Sequence, residues 1–351
     1  MHVEKFSQIE VAPGERAFAF LDVAVMADGA PLGIPVHVLR GKKDGPKIVV
    51  MATAHGYEIC QISVIKELLE TLDANEVRGT VVFVPVQNPV AFEMGTRGTW
   101  VDALWGDSGN MNRLWPGRPN GWLTERMTHK LSSEVFPGSD LVIDMHASGP
   151  GLTLAYGYYG SISEEEIEIS KVFGHDILVN PLPAEIDEKM QWTTSRAYLK
   201  KAGIPSYGCE IGEFPGLWSE RHRPRARRTV PEVGVTGVTN VMKYLGMLDG
   251  DPVVPARQLV VQPELNLRPS HGGLLVSEKT LDDLGNVVPK GDLLGRVISP
   301  YTFEVLDEIV APFDETLIIA ATIDKPFKKV LPGEYGYIVA DLKTCWWIEN
   351  E

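Results

Sequence analysis

Two histidines and two glutamates stand where apolar strands leave a hydrophobic core. The run IVVMATA ends at residue 54, and HGYE follows at 55–58. LVIDM, 141–145, is followed at once by His146, and PSYGC, 205–209, by Glu210. TVVFVPV, 80–86, is followed by Gln87 and Asn88, with Arg97 further along. Ligands of an open α/β sheet bind at the carboxyl ends of its strands, so these four exits are expected to share one edge. Two imidazoles and one carboxylate, His55, His146 and Glu58, make a tetrahedral zinc site with its fourth position left for water. A metal held in that way activates water and polarises a carbonyl, which is hydrolytic chemistry. A histidine after a buried strand also serves as an ordinary hydrogen-bonded strand end, and HxxE arises by chance. What favours chemistry is the coincidence of four strand exits.

The elements that must position these residues alternate in type over the first 250 residues. KIVVMATA, TVVFVPV, LVIDM and DILVN (176–180) read as strands, continuous and β-branched enough to be buried on both faces. GYEICQISVIKELLETLDA reads as a helix with Ile62, Ile65, Leu68, Leu69 and Leu72 on one stripe. Ser163 with Glu166 makes a capping box for a second helix that Gly174 stops. Further helical periods run over 124–135 and 235–248. The alternation predicts an α/β fold whose mixed, mostly parallel sheet carries helices on both faces. Near 255 the character changes to a Pro-rich stretch and then to short strands punctuated by Gly, Pro and Asp. The expected organisation is a catalytic domain over 1–255 and a small all-β domain over 256–351 that shields or shapes the active site.

Composition narrows the partners. The chain has 351 residues, 44% hydrophobic and 23% charged, with a formal net charge of −14. That balance argues against nucleic acid, which needs a basic face. No apolar run approaches the roughly 20 residues that span a bilayer, and the polar first residues point to a cytoplasmic location rather than secretion. Cys60, Cys209 and Cys345 are too scattered for a disulfide framework or a CxxC metal site. The basic run RHRPRARR, 221–228, reads as a solvated loop or as a lid donating an arginine to an anion.

HGYE at 55–58, NPVAFEMGTR at 88–97, NMNRLWPG at 110–117, DMHAS at 144–148 and CEIGE at 209–213 together resemble the succinylglutamate desuccinylase/aspartoacylase family. The order of the motifs is the family's, and the C-terminal β segment resembles the family's usual appendage. The resemblance implies a zinc carboxypeptidase-like fold and one Zn2+ per chain on His55, Glu58 and His146. It implies Glu210 as general base, with Glu213 close by in sequence, and Arg97 as the stabiliser of the tetrahedral oxyanion. Asn112 and Arg113 would hold a carboxylate of a small-molecule substrate, and Asp144 reads either as the residue that orients a ligand histidine or as an ordinary sheet-end residue. It leaves room for a homo-oligomer.

Three positions depart from the family's pattern: Tyr57 in place of a small polar residue, Asn110 in place of an acid, and Trp115 in place of Phe. Trp100, Trp105, Trp115 and Trp122 surround that motif and are readable as core or as the wall of a pocket for a bulky acyl group. The leading expectation is a zinc-dependent amidohydrolase that cleaves the amide of a small N-acyl amino acid. The alternatives are a zinc carboxypeptidase acting on small peptides and a catalytically inactive zinc-containing ligand-binding protein.

Overall fold

A computed structural model describes residues 1–99, 109–147, 152–159, 163–180, 194–211, 230–262, 265–280, 283–321 and 326–350. The basic run 221–228, Glu213, Trp100 and Trp105 lie outside the described residues.

Twenty strands are described, numbered here in chain order. The first ten are β1 (His2–Val3), β2 (Glu15–Val25), β3 (Pro31–Arg40), β4 (Lys43–Met51), β5 (Arg78–Val84), β6 (Leu141–His146), β7 (Leu152–Thr153), β8 (Tyr156–Tyr158), β9 (Ile177–Val179) and β10 (Ser206–Glu210). Then come β11 (Arg257–Val261), β12 (Leu265–Leu267), β13 (Gly273–Ser277), β14 (Val287–Val288) and β15 (Leu293–Ile298). The last five are β16 (Val305–Val310), β17 (Thr316–Ala321), β18 (Lys328–Val330), β19 (Tyr337–Asp341) and β20 (Trp346–Glu349). An eleven-stranded sheet runs β1-β2-β3-β5-β4-β6-β10-β8-β9-β11-β20. Its central neighbours β5–β4, β4–β6 and β6–β10 are parallel, and antiparallel pairs lie to either side.

The central strands are hydrophobic on both faces because two helical layers cover them. Side chains alternate along a strand, so Ile48 and Val50 enter one core while Val49 and Met51 enter the other. On the first face lie α1 (Gln61–Thr71), α4 (Glu164–Phe173) and α6 (Val230–Tyr244), through Val64, Leu68, Ile169, Phe173 and Val241. On the second lie α3 (Leu123–Lys130), its π-turn continuation Leu131–Val135, and α5 (Ser195–Ala202), through Met127, Leu131, Val135 and Leu199. The short α2 (Pro89–Met94) starts on Asn88, whose side chain accepts the Ala91 N–H.

Two local expectations change in the structure, and the open reading of Trp115 is decided in favour of the core. Helix α1 begins at Gln61, not at 56, because 55–59 close a tight turn in which Glu58 N–H bonds the His55 carbonyl. Ser163 does cap α4, but Glu166 turns inward and accepts the Ser206 N–H at 3.0 Å, so it ties the helix to β10 instead of closing a capping box. Trp115 is buried in the second core, stacked on Phe136 at 5.3 Å, so it walls no substrate pocket. Cys209 is a fully buried thiol.

Beyond residue 255 the chain forms two antiparallel sheets, β12-β19-β17-β14 and β16-β15-β13-β18. This segment is stitched to the rest at several places. Strands β11 and β20 extend the large sheet, and β7, just after the strand that ends in His146, pairs with β17 at Thr153↔Ala320. Among the described residues no helix is long and apolar enough to cross a membrane.

Phe83 on β5 is completely buried between strand neighbours and the α1 layer. Phe83→Ala is expected to cost about 3–5 kcal/mol, since the cavity adds to the lost transfer energy. Urea denaturation followed by circular dichroism measures the loss.

Candidate metal centre and active site

His55 and Glu58 belong to the turn between β4 and α1, and that turn is built from unusual backbone. Thr53 sits in the left-handed region at φ +58°, which a β-branched residue seldom adopts. Its hydroxyl donates to the Glu58 carbonyl at 3.1 Å, bracing the chain across the five residues that follow. Gly56 has to be glycine, because a Cβ there would meet the Ala91 carbonyl oxygen at 1.8 Å. Its N–H bonds Thr96 O at 2.7 Å, which clamps the turn to the segment leading to Arg97. Both HxxE side chains are thereby turned to the same side.

His146 closes β6. Parity puts Asp144 and His146 on one face of that strand, and the parallel register places Glu210 of β10 beside His146. The result is a buried cluster in which one ligand atom each from His55, Glu58 and His146 lies within 4.8 Å of the others. Nδ1 of His55 is 2.7 Å from Glu58 Oε1, and Nδ1 of His146 is 3.1 Å from Glu58 Oε2.

Each imidazole is held from behind by its other nitrogen. Nε2 of His55 is 3.1 Å from Asn110 Oδ1, and Nε2 of His146 is 3.2 Å from Asp144 Oδ2. With Nε2–H donating to these acceptors, Nδ1 of both rings is presented to the centre. Asp144 is itself fixed, accepting from Gln87 Nε2 at 2.8 Å and from the Ser195 hydroxyl at 2.5 Å. Three deprotonatable donors, two oriented imidazoles and a carboxylate, form the set that suits Zn2+.

Charge is balanced tightly. Burial would raise the Glu58 carboxyl, but His55 and His146 outweigh it and bring it down to about 2. Burial disfavours the His146 imidazolium, yet Asp144 and Glu58 reverse this and hold its pKa well above the ordinary value. His55 goes the other way, because its burial dominates the pull of Glu58. Of the two imidazoles, His146 is thus the one whose protonated form the surroundings favour.

At the rim, Arg97 Nη1 lies 3.7 Å from Glu58 Oε1 and donates to the Tyr57 hydroxyl at 2.6 Å. Its guanidinium is stabilised, against its burial, by Tyr57, Glu58 and Glu210. Glu210 Oε1 accepts a long bond from the Tyr158 hydroxyl at 3.5 Å. Thus the structure gathers His55, Glu58, His146, Arg97 and Glu210 at one sheet edge. Asn112 and Arg113 lie in the short 3-10 turn that Asn110 caps. Their recorded bonds are local: Asn112 Oδ1 accepts the Ser195 N–H at 3.0 Å, and Arg113 Nη1 donates to the Asn112 carbonyl at 2.6 Å.

Sequence reading missed three supports. Asn110 was visible only as a departure from an acidic pattern, and Gln87 only as a polar strand end. Ser195 has no signal at all, because its partner Asp144 is 51 residues away.

The comparisons with known proteins agree with this geometry. A model of the succinylglutamate desuccinylase/aspartoacylase catalytic domain matches residues 44–234. The chain is 27% identical over 293 residues to an N-alpha-acetyl-L-2,4-diaminobutyric acid deacetylase of Halomonas elongata, covering 79% of this chain and 78% of that protein. Its fold is similar to the product-bound ectoine utilization protein EutE (DoeB) of Ruegeria pomeroyi, with TM-score 0.77, 23% identity and coverage of 95% and 98% of the two chains. It is similar also to a succinylglutamate desuccinylase/aspartoacylase of Rhodobacter sphaeroides, with TM-score 0.73, 19% identity and coverage of 93% and 96%.

Two outcomes follow from the supports and the proton. Asn110→Leu is expected to weaken Zn2+ about 10–100-fold in a chelator competition, because His55 loses its acceptor. Zn2+ uptake at pH 7 is expected to expel the His146 proton, so affinity rises with pH and titration calorimetry depends on the buffer's ionisation enthalpy. Equal heats in all buffers would contradict the protonation state. Taken together, the matched domain and the converging strand ends place the chain in the succinylglutamate desuccinylase/aspartoacylase family of hydrolases that act on amide bonds.

Proposed function

We propose that the protein is a Zn2+-dependent deacylase that removes a small acyl group from an N-acyl amino acid. The observation that carries this reading is the convergence of His55, Glu58 and His146 beside Glu210, the neighbour of His146 in strand register. The three ligand residues would hold Zn2+, which when bound lowers the pKa of water toward about 7 and polarises the scissile carbonyl. Glu210 accepts the proton of the attacking water and passes it to the departing amine. Arg97 donates its N–H groups to the oxyanion that develops on the carbonyl oxygen. Arg113, supported by the Asn112 loop, pairs with the substrate carboxylate through its planar fork.

The burial of Trp115 removes one ground for a bulky acyl group, and the relative from Halomonas elongata suggests the first substrate to try. Residues 256–351, joined to the strand after His146 through β7, support a role for that segment in shaping the entrance. Cys60, Cys209 and Cys345 are free thiols, which supports a cytoplasmic location.

The test is a panel of N-acyl amino acids, Nα-acetyl-2,4-diaminobutyrate among them, assayed against dipeptides on Zn2+-loaded protein. Faster cleavage of dipeptides would replace the proposal with a carboxypeptidase. Full binding without turnover would replace it with an inactive binding protein. His146→Ala is expected to lose Zn2+ and activity together. Glu210→Gln should keep Zn2+ while turnover falls about 10²–10⁴-fold. For Arg113→Ala, kcat/KM should drop about tenfold to a hundredfold on carboxylate substrates and much less on their amide analogues, consistent with a lost charge-assisted pair.

A further inference from the structure

We infer that Tyr57 is a positioning residue for Arg97: its hydroxyl holds the guanidinium beside the metal ligands, aimed outward to meet substrate oxyanion. The inference rests on the deacylase reading and adds a residue to it. Arginine has only donors, so a guanidinium stays in place only if acceptors hold it. Among the described residues Glu58 is a competing acceptor for Arg97, its Oε1 3.7 Å from Nη1. Were Arg97 to close fully on Glu58, it would neutralise a carboxylate needed for the metal and turn its N–H groups away from substrate. The Tyr57 oxygen, at 2.6 Å, takes Nη1 first.

Position 57 is suited to this task. It lies between the two ligands of the HGYE turn, and the turn's backbone is locked to the Arg97 segment by the Gly56 N–H bond to Thr96 O. The base of both side chains is therefore fixed. The Tyr57 ring also runs nearly parallel to the His55 ring, with 23° between planes and centroids 6.4 Å apart, which restricts where the phenol oxygen points. Arg97 needs such help, since nearly half of its long side chain is exposed at 45%. An exposed arginine samples many rotamers, and each one lost before substrate arrives is a smaller entropic cost during the reaction. A shorter side chain at 57 would leave the guanidinium without this acceptor.

A double-mutant cycle tests the assignment. Tyr57→Phe keeps the ring and deletes the oxygen. It is expected to lower kcat about tenfold with KM within about threefold and Zn2+ stoichiometry unchanged, the signature of an interaction made in the transition state. In the Arg97→Ala background the same substitution should have no further effect. Inorganic phosphate serves as an oxyanion probe that needs no turnover: calorimetry on the Zn2+-loaded proteins should show about tenfold weaker binding for Tyr57→Phe and no difference between Arg97→Ala and the double variant. Equal losses in both backgrounds would overturn the inference, because the hydroxyl would then act by itself. So would unchanged kcat and phosphate binding, or loss of Zn2+ from Tyr57→Phe. If the wild type hydrolyses no N-acyl amino acid, the deacylase reading fails while the phosphate cycle still decides the role of Tyr57.

Discussion

Everything in the site depends on one carboxylate held between two imidazoles. Glu58 is almost fully buried, and an isolated carboxylate in that position would take up a proton rather than stay charged. It stays charged because His55 approaches one oxygen and His146 the other, and because the Ala147 N–H adds a bond at 3.3 Å. Two imidazoles and a carboxylate drawn this close share a net positive requirement that the His146 proton meets and that a divalent cation meets better. A proton and a divalent cation would compete for the same electrostatic position, which would couple metal affinity to pH.

The sheet does the positioning. A strand shows every second side chain to each face, so Asp144 and His146 arrive together, as do Ile143 and Met145 on the opposite core. Parallel pairing then sets Glu210 next to His146 without any loop having to find its place. The second support, Asn110, comes from an irregular turn and is neutral where Asp144 is charged. The two histidines therefore meet unequal partners: a carboxylate raises the basicity of His146, and an amide orients His55 while adding no charge.

Loops carry what strands cannot. The turn from 53 to 59 has a left-handed Thr53 and a glycine pressed against the Ala91 carbonyl, features that cost stability and persist only where surrounding contacts over-determine them. Two cores, one on each face of the sheet, supply that surplus through the buried carboxyl-terminal stretches of β4 and β5 and the fully buried β6. Strain is concentrated where it aims His55, Glu58 and Arg97 at one point.

Much of this was legible in the residues themselves. Continuous β-branched runs such as TVVFVPV mark strands covered on both faces, and polar residues at their exits mark the edge that does chemistry. His55, Glu58, His146 and Glu210, which the structure brings to one sheet edge, were readable because a His or Glu near the exit of a buried strand is chemically conspicuous, while Arg97 was singled out by the resemblance. Other features depend on distance in space. Ser195 meets Asp144 and Asn112 only after α5 docks, Glu166 leaves its own helix cap for β10, and Trp115 enters the core instead of a pocket wall. The β2–β3 hairpin at the sheet's margin escaped notice as well, since its alternating pattern carries no catalytic residue. Local sequence encodes which side chains alternate and which can ligate. Which of two nearby acceptors a buried donor chooses is decided by packing between segments far apart in the chain, where the cost of an unpaired polar group selects the arrangement.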